Sequence, residues 1–253
     1  MWEDRFQVRR LHEWDLSYAE ARQLQSDFAG RVRFTPLRKQ PRLIAGLDCA
    51  FSKDGKQIFA AAVVLQAVVG GASPTPRRSV RQGQAEGPLA YDLELMETVT
   101  AVRDVGFPYI PGLLSFREAP VCLAAVGKLK NEPDVFLIDG QGIAHPRRLG
   151  LAAHLGLFLD KPTIGCAKSR LIGQFEPPGP EKGDHTPLLA GDEIIGAVVR
   201  TRRNIKPLFI SVGHKCRLED AIRLTLACAT KYRLPEPTRL AHHAVSEAKQ
   251  RSV

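Results

Sequence analysis

The stretch Pro133-Asp134-Val135-Phe136-Leu137-Ile138-Asp139-Gly140-Gln141-Gly142-Ile143-Ala144-His145-Pro146 constrains the fold more than any other part of the chain. Its apolar run is short and bounded by turn residues, the mark of a buried strand. The run ends in a carboxylate, Asp139. Open α/β sheets gather their chemistry at the carboxyl ends of strands. Gly140 and Gly142 follow, and glycine lets a backbone turn sharply and approach a ligand closely. A helix is expected from His145 or Pro146 to about Leu159. Taken alone, Asp139 has a plainer reading as the cap of that helix.

The same arrangement occurs a second time. Arg42-Leu43-Ile44-Ala45-Gly46-Leu47-Asp48-Cys49-Ala50-Phe51 is also apolar and also carries an acid, Asp48, within the run. An ionised carboxylate in such a place needs a partner, because burying an unpaired charge is costly. Two acids on neighbouring strands repel unless a cation lies between them. Oxygen ligands suit a hard ion such as Mg2+. The pair therefore predicts a divalent metal site more strongly than either acid does alone.

Composition narrows the partners. The formal net charge of +9 points to a polyanion, nucleic acid first and an anionic membrane second. At 253 residues, 44% of them hydrophobic, the chain is long and apolar enough for one large α/β domain or two small ones. Residues 1–253 are read as a single domain. No apolar run approaches the ~20 residues that span a bilayer. The charged start, Met1-Trp2-Glu3-Asp4-Arg5, is no signal peptide. Five cysteines without a CxxC pair read as reduced thiols of a cytoplasmic protein. Nothing demands more than a monomer.

In chain order, Ser17 to Phe28 is expected as a helix with Ser17 and Glu20 forming a capping box. Residues 42–51 and Gln57 to Val69 form a hairpin about Asp54-Gly55, and a third strand lies around Leu93 to Ala101. Residues 70–88, rich in Gly, Pro and Arg, read as a flexible insertion. Pro108-Tyr109-Ile110-Pro111-Gly112 is a stiff loop with an apolar tip. It serves either as a wedge between stacked bases or as a plug in the core. Glu118 is expected to open a helix with Pro120 in its first turn. A short strand at 161–166 leads into Lys168, and 175–187 reads as a loop. Glu193 to Thr201 and Pro207 to Val212 form a further strand pair. Helices are expected over Leu218 to Tyr232 and Thr238 to Lys249. Three antiparallel strands followed by parallel strands, with helices on both faces, make a mixed α/β sheet of ribonuclease-H-like pattern.

On these segments the chain resembles the endonuclease V family, nucleases that act at deaminated adenine (inosine). The segments are Gly46–Phe51, Pro108–Gly112, Leu114–Glu118, Asp139–Gly142, His145–Arg147, Gly165–Ser169, Ile210–His214 and Leu234–Arg239, and they run in family order. The resemblance implies Asp48 and Asp139 as Mg2+ ligands, with Mn2+ as a substitute, and Glu118 as a third acid. It implies His145 and Lys168 beside the scissile phosphate and His242 near the metal, with His243 its immediate neighbour. Tyr109, in its loop with Pro108, Ile110, Pro111 and Gly112, is implied as the wedge that replaces an extruded base. Gly140, Gln141 and Gly142 are implied as part of a pocket for hypoxanthine. The implied partner is DNA carrying deaminated bases, and RNA as a second candidate. The implied reaction is a nick at the second phosphodiester 3′ to the lesion, leaving 3′-hydroxyl and 5′-phosphate ends. Two alternatives compete with this reading: a ribonuclease-H-type nuclease of other specificity, and a non-catalytic nucleic-acid-binding module. Clustered acids facing an anion argue against the latter.

Overall fold

The computed structural model describes residues 8–68 and 91–251. The strands are β1 (Leu43–Phe51), β2 (Gln57–Val68), β3 (Asp92–Asp104), β4 (Val135–Ile138), β5 (Thr163–Ala167), β6 (His185–Ala190), β7 (Glu193–Val199) and β8 (Leu208–His214). The helices are α1 (Tyr18–Ala29), α2 (Leu114–Val126), α3 (Leu151–Leu159), α4 (Leu218–Cys228) and α5 (Glu236–Gln250). All eight strands join one sheet in the order β3-β2-β1-β4-β5-β8-β7-β6. The first three are antiparallel, and β1, β4 and β5 run parallel at its centre, as expected. The expected insertion at 70–88 lies outside the described residues.

Burial on both faces explains why the central strands are almost wholly apolar. Along β2, Ile58, Ala60, Ala62 and Val64 pack with Ala119, Cys122 and Val126 of α2. The alternate residues Phe59, Ala61, Val63 and Leu65 meet Ala241 and Val245 of α5 on the opposite face. Helices thus cover both sides of the sheet. None among the described residues is long and apolar enough to cross a membrane.

Several boundaries differ from expectation. The capping box at Ser17 and Glu20 is formed. Helix α2, however, begins at Leu114, so Glu118 lies in its second turn and Pro120 in its interior. The turn at Ile110–Leu113 runs directly into the helix: the Leu113 amide donates to the Ile110 carbonyl, and that of Phe116 to Leu113. Helix α3 begins at Leu151 rather than at His145 or Pro146. Residues 143–150 are instead tied into turns, with Arg148 left-handed at φ 56°. Strand β6 begins inside the segment read as a loop. It is an edge strand, where Pro187 is tolerated because no ladder donor is needed on the solvent side. Helix α4 stops at Cys228, short of Tyr232, and α5 starts at Glu236, with Pro237 in its first turn.

Candidate active site

Three adjacent parallel strands each deliver one charged group to the same end of the sheet. Asp48 lies near the end of β1, Asp139 directly follows β4, and Lys168 directly follows β5. Leu47 pairs with Ile138 across β1 and β4, and the Asp139 amide continues that ladder by donating to the Leu47 carbonyl at 3.0 Å. The two acids are therefore neighbours because the strand register makes them so. Lys168 Nζ closes on Asp139 Oδ2 at 2.5 Å.

Asp48 is buried. Its Oδ1 accepts from the Cys49 amide at 2.8 Å, and its Oδ2 pairs with His242 Nδ1 at 2.7 Å. Burial raises the Asp48 carboxyl above its ordinary value, and the charge of Asp139 raises it further; the His242 hydrogen bond and Lys168 oppose both. Asp48, Asp139 and His242 each offer a ligand atom, and these atoms lie within 4.8 Å of one another. Of the two adjacent histidines, His242 is the one that meets Asp48.

Glu118 reaches the same region from α2 but stands outside that trio. Burial is the main cause that pushes its carboxyl up to about 8; Asp48 and Asp139 add to the rise, and a hydrogen bond from the Cys49 thiol opposes it.

Beside the acids lies a cavity of about 440 Å3. Tyr109, Ile110, Pro111 and Gly112 border it, as do Glu118, Asp139, Gly140, Gln141, His145 and Lys168. Asp139 thus belongs to both the acidic cluster and the cavity wall. Tyr109 is 70% exposed, while Ile110 packs inward with Phe107, Leu113 and Phe116. Of the two uses expected for this loop, the core plug is met by Ile110, and Tyr109 is left exposed at the tip. Pro108 is exposed at the loop's start and does not line the cavity.

Gly142 also stands apart from the cavity. Its amide donates to Ser211 Oγ at 2.8 Å, and a Cβ there would lie 2.0 Å from the Val212 carbonyl oxygen. Its role is to let the turn after β4 lie flat on β8. The Gln141 carbonyl accepts from the Ala152 amide, satisfying an otherwise orphaned donor in the first turn of α3. The Gln141 side-chain amide donates to the Ser169 carbonyl at 2.9 Å, tying this turn to the segment that bears Lys168.

His145 is buried, lines the cavity and is bonded to the loop. Its Nδ1 accepts from the Arg147 amide at 3.2 Å, and its ring also bonds the Gly112 backbone. Burial, with the charges of Arg147 and Arg148, lowers its pKa to about 4, so the ring is neutral near pH 7.

Sequence reasoning did not single out Arg233. Its guanidinium donates to the carbonyls of Lys206, Pro207 and Lys168, each at 2.8 Å, and so holds the backbone of Lys168. The only signal was its position just ahead of the Leu234–Arg239 segment.

The donor set suits a hard divalent ion. Two carboxylates and one imidazole converge, and the mutual repulsion that raises Asp48 is what a cation between them would relieve.

Comparisons with known proteins place the chain in a family. The family model described as Endonuclease V matches residues 88–243. A curated Endonuclease V from Dehalococcoides mccartyi is 44% identical over 241 residues, covering 95% of this chain and 97% of its own. The crystal structure of Endonuclease V from Streptomyces avermitilis superposes with a TM-score of 0.81 at 38% identity, covering 97% of this chain and 99% of that one. The Ciona intestinalis Endonuclease V, solved in complex with a 23mer DNA containing an inosine followed by a ribo-adenosine, gives a TM-score of 0.72 at 26% identity over 93% of this chain and 98% of that one. The protein belongs to the Endonuclease V family and is an endonuclease.

Proposed function

We propose that this endonuclease is Mg2+-dependent, recognises inosine in DNA, and nicks the second phosphodiester on its 3′ side. The observation that carries the proposal is the Asp48–Asp139–His242 trio, whose Asp139 also lines a cavity bordered by the exposed Tyr109. The Ciona protein's inosine-containing ligand supports the choice of base.

Asp48, Asp139 and His242 hold the ion, with Glu118 beside them. When bound, the ion supplies Lewis-acid neutralisation of the charge that builds on phosphate oxygens. Lys168 adds a fixed positive charge on the same phosphate, poised by Asp139 and by the grip of Arg233 on its backbone. A water oxygen bonds to phosphorus as the bond to the 3′ oxygen breaks, leaving a 3′-hydroxyl and a 5′-phosphate. No side-chain nucleophile is needed. The flipped base enters the cavity, where Gly140 and its neighbours present backbone groups, and Tyr109 fills the gap left in the stack. That filling offsets part of an unstacking cost of roughly a few kcal/mol. Neutral His145 holds the loop against the cavity rather than exchanging protons with substrate. Five free thiols fit a cytoplasmic enzyme, working as a monomer.

The test is cleavage of matched oligonucleotides with one inosine or one adenine at the same position, with Mg2+, with Mn2+ and with chelator. A nick 3′ to inosine alone, lost with chelator, is the expected result. Equal cutting of both strands would instead indicate a relaxed nuclease, and binding without cutting a mere binder. The Ciona ligand carries a ribonucleotide next to inosine, so inosine-containing RNA belongs in the same series.

A further inference from the structure

The loop that presents Tyr109 is held from an unexpected direction. Its last residue, Gly112, is left-handed at φ 79°. The Gly112 carbonyl accepts from Arg147 Nη2 at 2.7 Å. Arg147 Nε in turn donates to Gln25 Oε1 at 2.5 Å, and Gln25 Nε2 donates to the Leu149 carbonyl at 2.9 Å. Gln25 belongs to α1 and has no exposed surface.

A fully buried amide is costly unless its polar atoms are satisfied. Packing alone would be met by Leu or Met at this position. Gln25 instead uses its carbonyl on a guanidinium and its amide on a backbone oxygen, so neither end can rotate without loss. The pairing fixes the plane of the Arg147 guanidinium, and that plane aims Nη2 at Gly112. Arginine otherwise samples many rotamers, and that freedom would pass to the loop.

We propose that Gln25 is a positioning residue for lesion recognition, acting through Arg147 to pre-set the Tyr109 loop. The inference rests on the wedge reading given under the proposed function. An aromatic that fills a stack contributes fully only if its loop is ordered beforehand, because ordering during binding subtracts from affinity. A duplex leaves a gap to be filled when a base is extruded. A single strand leaves none. The clamp therefore matters for duplex substrate and not for single-stranded substrate, a difference that general loss of structure would not produce.

The experiment compares wild-type enzyme with Gln25→Met, Arg147→Met and the double variant on inosine in duplex and in single-stranded DNA. Each single variant is expected to raise KM for the duplex about tenfold, the scale of one hydrogen bond to a charged group. Single-strand KM and kcat stay within about twofold. The double variant is no worse than either single one, since both break the same chain of contacts. Equal losses on both substrates, or losses that multiply in the double variant, overturn the proposal. If Gln25→Met does not fold, Arg147→Met decides the duplex preference alone. Hydrogen–deuterium exchange needs no substrate and separates the clamp from the catalytic reading: residues 107–113 should exchange faster in the variants while β1 and β4 do not change. Unchanged exchange at 107–113 overturns the clamp. Failure of the wild-type enzyme to prefer inosine would instead overturn the function.

Discussion

Gly46 on β1 lies flat against Pro237 at the start of α5: a Cβ at Gly46 would stand 1.9 Å from the Pro237 carbonyl oxygen. Two segments almost two hundred residues apart are thereby brought into backbone contact. The consequence is functional, because α5 carries His242 and β1 carries Asp48. Close approach of the two elements is what permits their 2.7 Å contact. Gly46→Ala must push backbone against backbone, with no flexible side chain to yield. Overpacking of this kind costs about 1–3 kcal/mol. The expected outcome is a lowered melting temperature together with weakened divalent-ion binding, read by thermal denaturation and by calorimetric titration with Mn2+. A variant with unchanged melting and full ion affinity would show that α5 shifts freely and does not set the site.

Asp139 and Lys168 make a short ion pair at the mouth of the cavity. Asp139→Asn keeps the shape and removes the charge. It should reduce single-turnover cleavage by at least about a thousandfold if the acid holds the ion. Lys168→Met should cost about 10²–10³-fold, the scale of one removed electrostatic stabiliser. Both should bind inosine-containing DNA within a few-fold of wild type, measured by fluorescence anisotropy in Ca2+. Loss of binding matching loss of cleavage would move these groups from chemistry to substrate capture.

Much of this site was legible in local pattern. Asp48 lies within one apolar run and Asp139 ends another, and strand register then dictates that they meet. The capping box of α1 is also local and was read correctly. Boundaries failed where tertiary contacts override local signals. Pro120 looked like a first-turn proline, yet the turn at Ile110–Leu113 starts α2 earlier. His145 looked like a helix start, yet Gly142 must lie on β8 and Gly150 must pass the Gln141 carbonyl, and the chain between them is spent in turns. Arg233 and Gln25 act through backbone carbonyls of distant segments, and such partners leave no spacing in sequence to be read.

His242 offers one ligand atom of the trio and also bonds Asp48 at 2.7 Å. Removing it with His242→Ala should weaken Mn2+ binding about 10–100-fold, the usual cost of losing a group that orients a ligand carboxylate. Cleavage should recover in part at high Mn2+ concentration, since the two carboxylates remain. His243→Ala serves as the control and should leave both readouts unaltered, because His243 is exposed and it is His242 that bonds Asp48. Equal effects from the two substitutions would assign the loss to α5 rather than to the ligand.

His145 makes the acid side of stability testable. Its buried ring has a pKa lowered from 6.5 to about 4, by burial first and then by Arg147 and Arg148. The unfolded chain therefore binds a proton that the folded chain refuses, and this ring's contribution to stability falls as pH drops through this window. The contribution is fully present above pH 6.5 and is lost progressively toward pH 4. A shift of this size corresponds to about 3 kcal/mol at the acid end. His214, also lowered to about 4 by burial, acts in the same direction and will remain in any His145 variant. The informative quantity is thus the difference in slope. Denaturant unfolding of wild type and His145→Gln from pH 7 to pH 4 should converge as pH falls, because the variant has no ring to protonate. At pH 7 the variant is the less stable of the two, having lost the bonds to Gly112 and Arg147. Parallel curves across the window would mean that the ring titrates alike in both states and that burial does not hold it neutral.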